Sequence, residues 1–188
     1  MTRIGIEPNR VSLELSLTPG IALSEGVVRD IDSNKDGTLS SSERLEYAAH
    51  VLSGVTLRVD DALPLRLKPM GSRFPDIDSI RSGDGVIHIE SEAEIARLAT
   101  GVHRLVFRND NGSESSVYLA NTLQPDGEGV VVTQQARDVD QRELSVEFNV
   151  DPSNHRWVWV GLAGLLLLVT VRTAPGPARS RRTTAQGT

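Results

Sequence analysis

Apolar and polar residues alternate along most of the chain before residue 150, which predicts β-strands. The alternation is clearest in "RVSLELSL" at 10–17 and "ELSVEFNV" at 143–150. The latter would bury Leu144, Val146, Phe148 and Val150. Further strands are predicted at 55–59, 63–67, 85–90, 103–108, 115–121 and 129–135. Turn signals rich in Gly, Asp and Asn separate these segments, so we expect a mainly antiparallel β-sandwich.

The period becomes helical on both sides of a polar segment at 32–43. Before it, one apolar face is formed by Val27, Val28 and Ile31, and after it another is formed by Tyr47, Ala48 and Val51. A short helix is also predicted in "ESEAEIARLA" at 90–99. The chain is therefore expected to be α+β, with a helix–loop–helix inserted between strands.

The polar segment itself, "DSNKDGTLSSSE", places oxygen-bearing side chains at regular intervals. Numbered from Asp32 as position 1, the oxygen donors fall at positions 1, 3, 5, 7, 9 and 12, which are Asp32, Asn34, Asp36, Thr38, Ser40 and Glu43. Gly37, at position 6, allows a sharp turn. Calcium is a hard cation that takes 6–8 oxygen ligands at about 2.3–2.6 Å, so this donor set suits it. The alternatives are a solvated polar loop and a loop of this pattern that does not bind.

In these positions the segment, within residues 20–52, resembles the EF-hand family. The resemblance implies direct calcium ligation by the side chains of Asp32, Asn34 and Asp36 and by the carbonyl oxygen of Thr38. It also implies a water-mediated contact from Ser40 and bidentate closure by Glu43.

EF-hands usually occur in pairs, and the candidate partner loops in this sequence surround Gly85 and Gly127. Windows 80–91 and 122–133 fail because their end positions lack acidic residues. A single unpaired hand favours a calcium ion that stabilises the structure over one that signals.

The C-terminal region changes character. No charged residue interrupts 157–171, and extension to 174 gives about 27 Å of helix, close to the roughly 30 Å hydrocarbon core. We expect a transmembrane helix at 157–174, a short stalk at 151–156 and a basic tail at 175–188. The alternative is a buried core helix.

Charge is distributed unevenly around this segment. Residues before 155 hold 15 basic and 25 acidic side chains, a net charge of −10, whereas the five remaining arginines follow without any acid. The acidic main domain argues against nucleic-acid binding. The positive-inside bias predicts a cytoplasmic tail and a domain, residues 1–150, outside the cytoplasm. Because the first ten residues contain no apolar export signal, we expect a leader upstream of this sequence; the alternative is tail anchoring with the domain in the cytoplasm.

Little other chemistry is indicated. The sequence lacks cysteine and contains no nucleophile or phosphate-binding motif, so a non-enzymatic binding module is expected. The segments "HRLVFRNDN", "SVYLANTL" and "QQARDVDQRELSVEF" resemble extracytoplasmic β-domains of bacterial membrane proteins, some of which precede nickel/cobalt permeases. That resemblance implies a bacterial envelope protein. It leaves an alternative role as an accessory of a transition-metal permease, with a nickel or cobalt site on His88 and His103 if their strands are adjacent.

Overall fold

The computed structural model describes residues 1–111, 120–122 and 129–151. Its helices and strands are, in chain order, β1 (Thr2–Glu7), β2 (Arg10–Leu17), α1 (Ile21–Ile31), α2 (Ser41–Ser53), β3 (Val55–Val59), β4 (Lys68–Arg73), α3 (Ile77–Ser82), β5 (Ile87–Glu94), β6 (Gly101–Asn109), β7 (Ala120–Thr122), β8 (Val130–Arg137) and β9 (Glu143–Val150). This part of the chain is α+β, with more strand than helix.

The strands form two sheets. The first has five strands in the order β4-β5-β2-β1-β7, and its neighbours are antiparallel except for the parallel pair β1 and β7. The second has four antiparallel strands in the order β3-β6-β9-β8. Because β2 belongs to the first sheet and β3 to the second, the helix pair α1–α2 lies in a connection between the two sheets.

Both sheets contribute their apolar rows to one buried cluster. In the first sheet Ile4 pairs with Leu13, and in the second Phe107 pairs with Leu144, with all four side chains buried. The alternation predicted for β9 is confirmed, since Leu144, Val146, Phe148 and Val150 are all buried.

The helix pair packs against the same cluster. Val28 and Ile31 of α1 are buried in it, as are Ala48 and Val51 of α2. Val27 and Tyr47 are partly buried beside them. The two apolar helix faces predicted from the sequence are therefore confirmed.

Two predicted elements are wrong. The helix predicted at 90–99 does not form, because residues 90–94 belong to strand β5 and 95–100 are irregular. The reason is long-range pairing: β5 lies antiparallel to β2 along its whole length, which buries Ser91 and Ala93 together with Ile87 and Ile89. The strand expected at 63–67 is also absent, and β4 forms at 68–73.

The strand predicted at 63–67 does not form because its leucines do not make a buried row: Leu63 is 86% exposed, and Leu65 and Leu67 are only partly buried. Among the described residues, three elements were not predicted: strands β1 and β4 and helix α3. The "GDG" at 83–85, expected to mark a turn, follows the C-terminal end of α3.

The proposed C-terminal segments lie almost wholly outside the described residues. Of the stalk at 151–156 only Asp151 is described, and the helix predicted at 157–174 and the tail at 175–188 are not. Among residues 1–111, 120–122 and 129–151, no helix has the length and apolar character needed to cross a membrane.

Candidate metal centre

The predicted ligands lie in the loop from Asp32 to Ser40 and in the first turn of α2. Helix α1 ends where the Asp32 amide donates to the Val28 carbonyl at 2.8 Å. The loop then turns through two left-handed residues, Lys35 (φ 59°) and Gly37 (φ 80°). The left-handed conformation costs a residue with a Cβ roughly 1–2 kcal/mol, which glycine avoids.

Side chains of the first half of the loop hold this turn. The carboxylate of Asp32 accepts hydrogen bonds from the amides of Asp36 (3.1 Å) and Gly37 (3.0 Å). The Asn34 side chain accepts from the Asp36 amide at 2.9 Å and donates to the Asp36 carboxylate at 3.0 Å. The oxygens of positions 1, 3 and 5 are therefore gathered on one tight turn.

Asp36 continues the network towards α2. Its Oδ1 accepts from the hydroxyl and the amide of Thr38, at 2.7 and 2.8 Å. These two bonds lower the pKa of the Asp36 carboxyl and keep it ionised. The carbonyl oxygen of Thr38 accepts no hydrogen bond from any described residue, so it is available to a ligand.

Glu43 joins the two halves of the loop. It is the third residue of α2 and forms a capping box with Ser40, whose amide and hydroxyl donate to Glu43 Oε2 at 2.9 and 2.6 Å. Its other oxygen, Oε1, accepts from the Asn34 amide and the Ser33 hydroxyl, each at 3.3 Å. The bonds from Ser40 are the main reason that the pKa of Glu43 is lowered.

Two of these carboxylates are buried without a described basic side chain beside them. Asp32 is 6% exposed and Glu43 is 5% exposed. Within the described part of the chain neither forms a salt bridge. Charged groups at this depth are seldom left without a counter-charge, because burial removes favourable hydration. The loop therefore has a deficit of positive charge at its two ends.

All six predicted residues thus belong to one hydrogen-bonded network, although their acidic groups do not converge on a single point. Among the described ranges, no three His, Cys, Asp or Glu side chains are close enough together to hold a metal ion. The contacts give the reason: Asp36 is turned towards Thr38, and each oxygen of Glu43 already accepts two hydrogen bonds. The donor chemistry fits calcium, whose shell also takes amide and carbonyl oxygens.

Ser33 is a member of this network that sequence reasoning missed. Its hydroxyl reaches Glu43, but position 2 of such a loop is not a ligand position, so nothing in the pattern indicates it. Leu39, at position 8 of the loop, is buried in the core cluster.

Helix α1 is held in place by α3, which the sequence did not predict. The Ser24 hydroxyl donates to the Arg81 carbonyl at 3.2 Å, and the Arg81 side chain donates to Glu25 at 3.0 Å. A signal for α3 existed, since Asp76 caps its first turn and Gly83 ends it in the left-handed conformation.

The far end of α2 is fixed to the second sheet. The Asn111 side chain donates to the Val51 carbonyl at 2.6 Å, and the Asp110 amide donates to the Gly54 carbonyl at 2.8 Å. Asn111 is therefore a structural residue that ties the chain just after β6 to α2.

The two histidines considered for nickel or cobalt do not meet. His88 lies on β5 of the first sheet, where its ring contacts Ser16, and His103 lies on β6 of the second. The expectation of adjacent strands is wrong, because β5 pairs with β2 and β4 whereas β6 pairs with β3 and β9. The accessory role in a permease system stays a prediction.

Comparison with known proteins adds no assignment. No protein-family model, curated protein or solved structure matches the chain.

Proposed function

We propose that residues 32–43 bind one calcium ion, as the EF-hand-like spacing predicts. Asp32, Asn34, Asp36 and Glu43 would supply side-chain oxygens, Thr38 its carbonyl oxygen, and Ser40 a contact through water. One observation carries the proposal. The carboxylates of Asp32 and Glu43 are buried at the two ends of one hydrogen-bonded loop, and neither forms a salt bridge with a described basic side chain. A bound divalent cation would neutralise them.

The role of the ion is structural in this proposal. The loop lies between two helices that pack on the core shared by both sheets, which we take as the layers of a β-sandwich. Since both oxygens of Glu43 are fully hydrogen-bonded, binding would exchange some of these bonds for the ion, which favours modest affinity. Extracellular calcium modules bind at about 10⁻⁴–10⁻³ M, and calcium bound to the folded form alone adds about 1.4 kcal/mol of stability at tenfold excess over Kd.

Calorimetry on the full-length chain in detergent tests this proposal. We expect one site per chain and at least a tenfold weaker affinity, about 1.4 kcal/mol, in Glu43→Gln. Glutamine keeps the shape of the side chain but removes the charge and one acceptor oxygen. The matched control is Glu46→Gln, which removes the same charge from an exposed position of α2. Absence of binding at millimolar calcium, or equal affinity in Glu43→Gln and wild type, would refute it.

We further propose that the chain is a single-pass membrane protein of a bacterial envelope, anchored through 157–174 with residues 1–150 outside the cytoplasm. The support is the uncharged run from Trp157 to Val171 and the acid-free arginine tail. A C-terminal fusion to a reporter active only in the cytoplasm should be active when the chain is expressed behind an export leader. Activity of a periplasm-only reporter at that position would reverse the topology.

A further inference from the structure

His103 occupies an unusual place at the margin of the core. It stands at the start of β6 on the inward-facing row, opposite Phe148 of β9. The two rings lie 5.7 Å apart at 31°, and the His103 side chain is only 13% exposed. A polar ring in such a position needs a partner for each of its nitrogens.

Both ring nitrogens of His103 face oxygen atoms that accept hydrogen bonds. Nδ1 lies 2.6 Å from the carboxylate of Asp60, and Nε2 lies 2.8 Å from the carbonyl oxygen of Ala99. A carbonyl oxygen cannot donate, so Nε2 must carry a proton. An ionised carboxylate cannot donate either, so Nδ1 must carry one as well.

Asp60 is held as an ionised acceptor. Its second oxygen accepts from the Arg104 amide at 2.9 Å. Burial alone would raise the pKa of Asp60, but the bonds from Arg104 and His103 outweigh it and lower this pKa. With both neighbours acting as acceptors, the geometry suits a doubly protonated ring, an imidazolium.

The ring joins two segments that are distant in sequence. Asp60 lies in the turn after β3, where Asp60 and Asp61 both adopt left-handed backbone angles, φ 52° and 57°. Ala99 lies in the 95–100 connection, which leads from β5 in the first sheet to β6 in the second. That connection is otherwise tied by the amides of Ile95 and Leu98 to the turn between β1 and β2.

We propose that His103 is a pH-sensitive latch that joins Ala99 of the 95–100 connection to Asp60 of the turn after β3 only while its ring is doubly protonated. Two bonds between residues 60 and 104, made by the carbonyl and the amide of Arg104, hold the turn on β6 in either protonation state, so the latch acts on the 95–100 connection. A neutral ring can donate through one nitrogen only. Loss of the proton therefore places a lone pair of one nitrogen against the oxygen of Asp60 or Ala99 and breaks that contact.

No other described charged side chain bonds to the His103 ring in place of Asp60. The other charged side chains on β3, β6, β9, the turn after β3 and the 95–100 connection are Arg58, Asp61, Arg97, Arg104, Arg108, Glu143 and Glu147. Among the described residues, none of them forms a hydrogen bond or ion pair with the ring. The hydrogen bond to Asp60 is the main cause of the raised pKa of His103, opposed by burial and aided by the Ala99 carbonyl.

The direction of the pH effect follows from that shift. Because the folded-state pKa is raised, the stability contributed by His103 is fully present below its ordinary value of about 6.5. It is lost as the pH rises through the folded-state pKa. The latch should therefore open at a pH above about 6.5, as the pH rises through the raised pKa of His103.

Nitrogen-15 NMR of the imidazole rings in the full-length chain tests the latch. We expect both ring nitrogens of His103 to be protonated at about pH 6, and the titration midpoint to lie above the ordinary value of about 6.5. In Asp60→Asn the titration midpoint should fall by about one pH unit or more, a tenfold change in proton affinity. Asparagine tolerates the left-handed backbone of residue 60, so this variant removes the charge with little strain. A neutral His103 ring at about pH 6, or an unchanged midpoint in Asp60→Asn, would overturn the proposal.

A second measurement separates a latch from a purely structural residue. Hydrogen exchange of residues 95–100, corrected for the intrinsic effect of pH, should show protection at pH 6.5 that is lost above the His103 midpoint. His50→Gln, at an exposed position of α2, should leave that profile unchanged. Protection that is independent of pH across the midpoint would contradict the proposal.

Discussion

Replacing Gly37 with alanine isolates the backbone conformation of the candidate calcium loop. Gly37 has φ +80°, and no heavy atom lies within 4 Å of the position that a Cβ would take. The substitution therefore meets no steric obstacle outside the residue itself, and any cost comes from holding alanine in the left-handed region. That cost is roughly 1–2 kcal/mol.

The chain supplies a control for this experiment in Gly26. It lies inside α1, and a Cβ there also meets nothing within 4 Å. Since glycine in a helix interior is less favourable than alanine by roughly 0.5–1 kcal/mol, Gly26→Ala should stabilise the domain. Replacing glycine with alanine should therefore lower the free energy of unfolding at Gly37 and raise it at Gly26, because the two positions differ in backbone conformation.

Urea unfolding followed by circular dichroism, in buffer with a calcium chelator, measures both effects. With a slope of about 1–3 kcal/mol per molar, a loss of 1.5 kcal/mol lowers the midpoint by about 0.5–1.5 M. Gly37→Asn should recover most of the loss, because asparagine tolerates the left-handed region. A midpoint for Gly37→Ala equal to or above that of wild type would mean that the folded loop does not contain this turn.

Further predictions concern the two ends of α2 and the acidity of the loop. Gly54→Ala should destabilise the domain, because the new Cβ would lie 2.6 Å from Cγ of Asn111 and displace a side chain that bonds to α2; thermal unfolding against Gly26→Ala measures this. Ser40→Ala removes the N-cap of α2 and should cost about 1 kcal/mol in calcium-free urea unfolding. Because the pKa values of Asp36 and Glu43 are lowered, their contribution to stability is present above their ordinary values and is lost as the pH falls through the folded-state values; unfolding midpoints between about pH 5 and pH 2 should show this loss.

Sequence reasoning succeeded where the local pattern and the tertiary environment agree. The alternation in β9 predicts a one-sided strand, and the second sheet buries that side. The apolar faces of α1 and α2 were predictable for the same reason, because a period of 3.6 residues places Val28 and Ile31 together on the side that meets the core.

It failed where a distant partner decides the structure. Glu90, Glu92 and Glu94 alternate with small residues that suit a helix equally well, and only pairing with β2 makes this segment a strand. Helix α3 has six residues, too few for a periodic pattern, and its stop at Gly83 resembles any other turn signal.

In the candidate site, too, the features set by local sequence were predictable and those set by distant contacts were not. Spacing alone predicted which residues share the loop, and Gly37 does adopt the left-handed angle that a sharp turn requires. The contact of Ser33 with Glu43 depends on how the helix places that carboxylate, and the tether from Asn111 to α2 crosses 60 residues of sequence. Neither leaves a trace in the local pattern.

Amide hydrogen exchange on the full-length chain, with and without millimolar calcium, tests the central claim most directly. A calcium ion that stabilises the loop should increase protection in α1, the 32–40 loop and α2. It should leave β6 and β9 unchanged, because their buried rows do not depend on the loop. The increase should disappear in Glu43→Gln and persist in Glu46→Gln. Exchange unaffected by calcium throughout residues 20–53, or changes spread across β6 and β9, would contradict a structural calcium site in this loop.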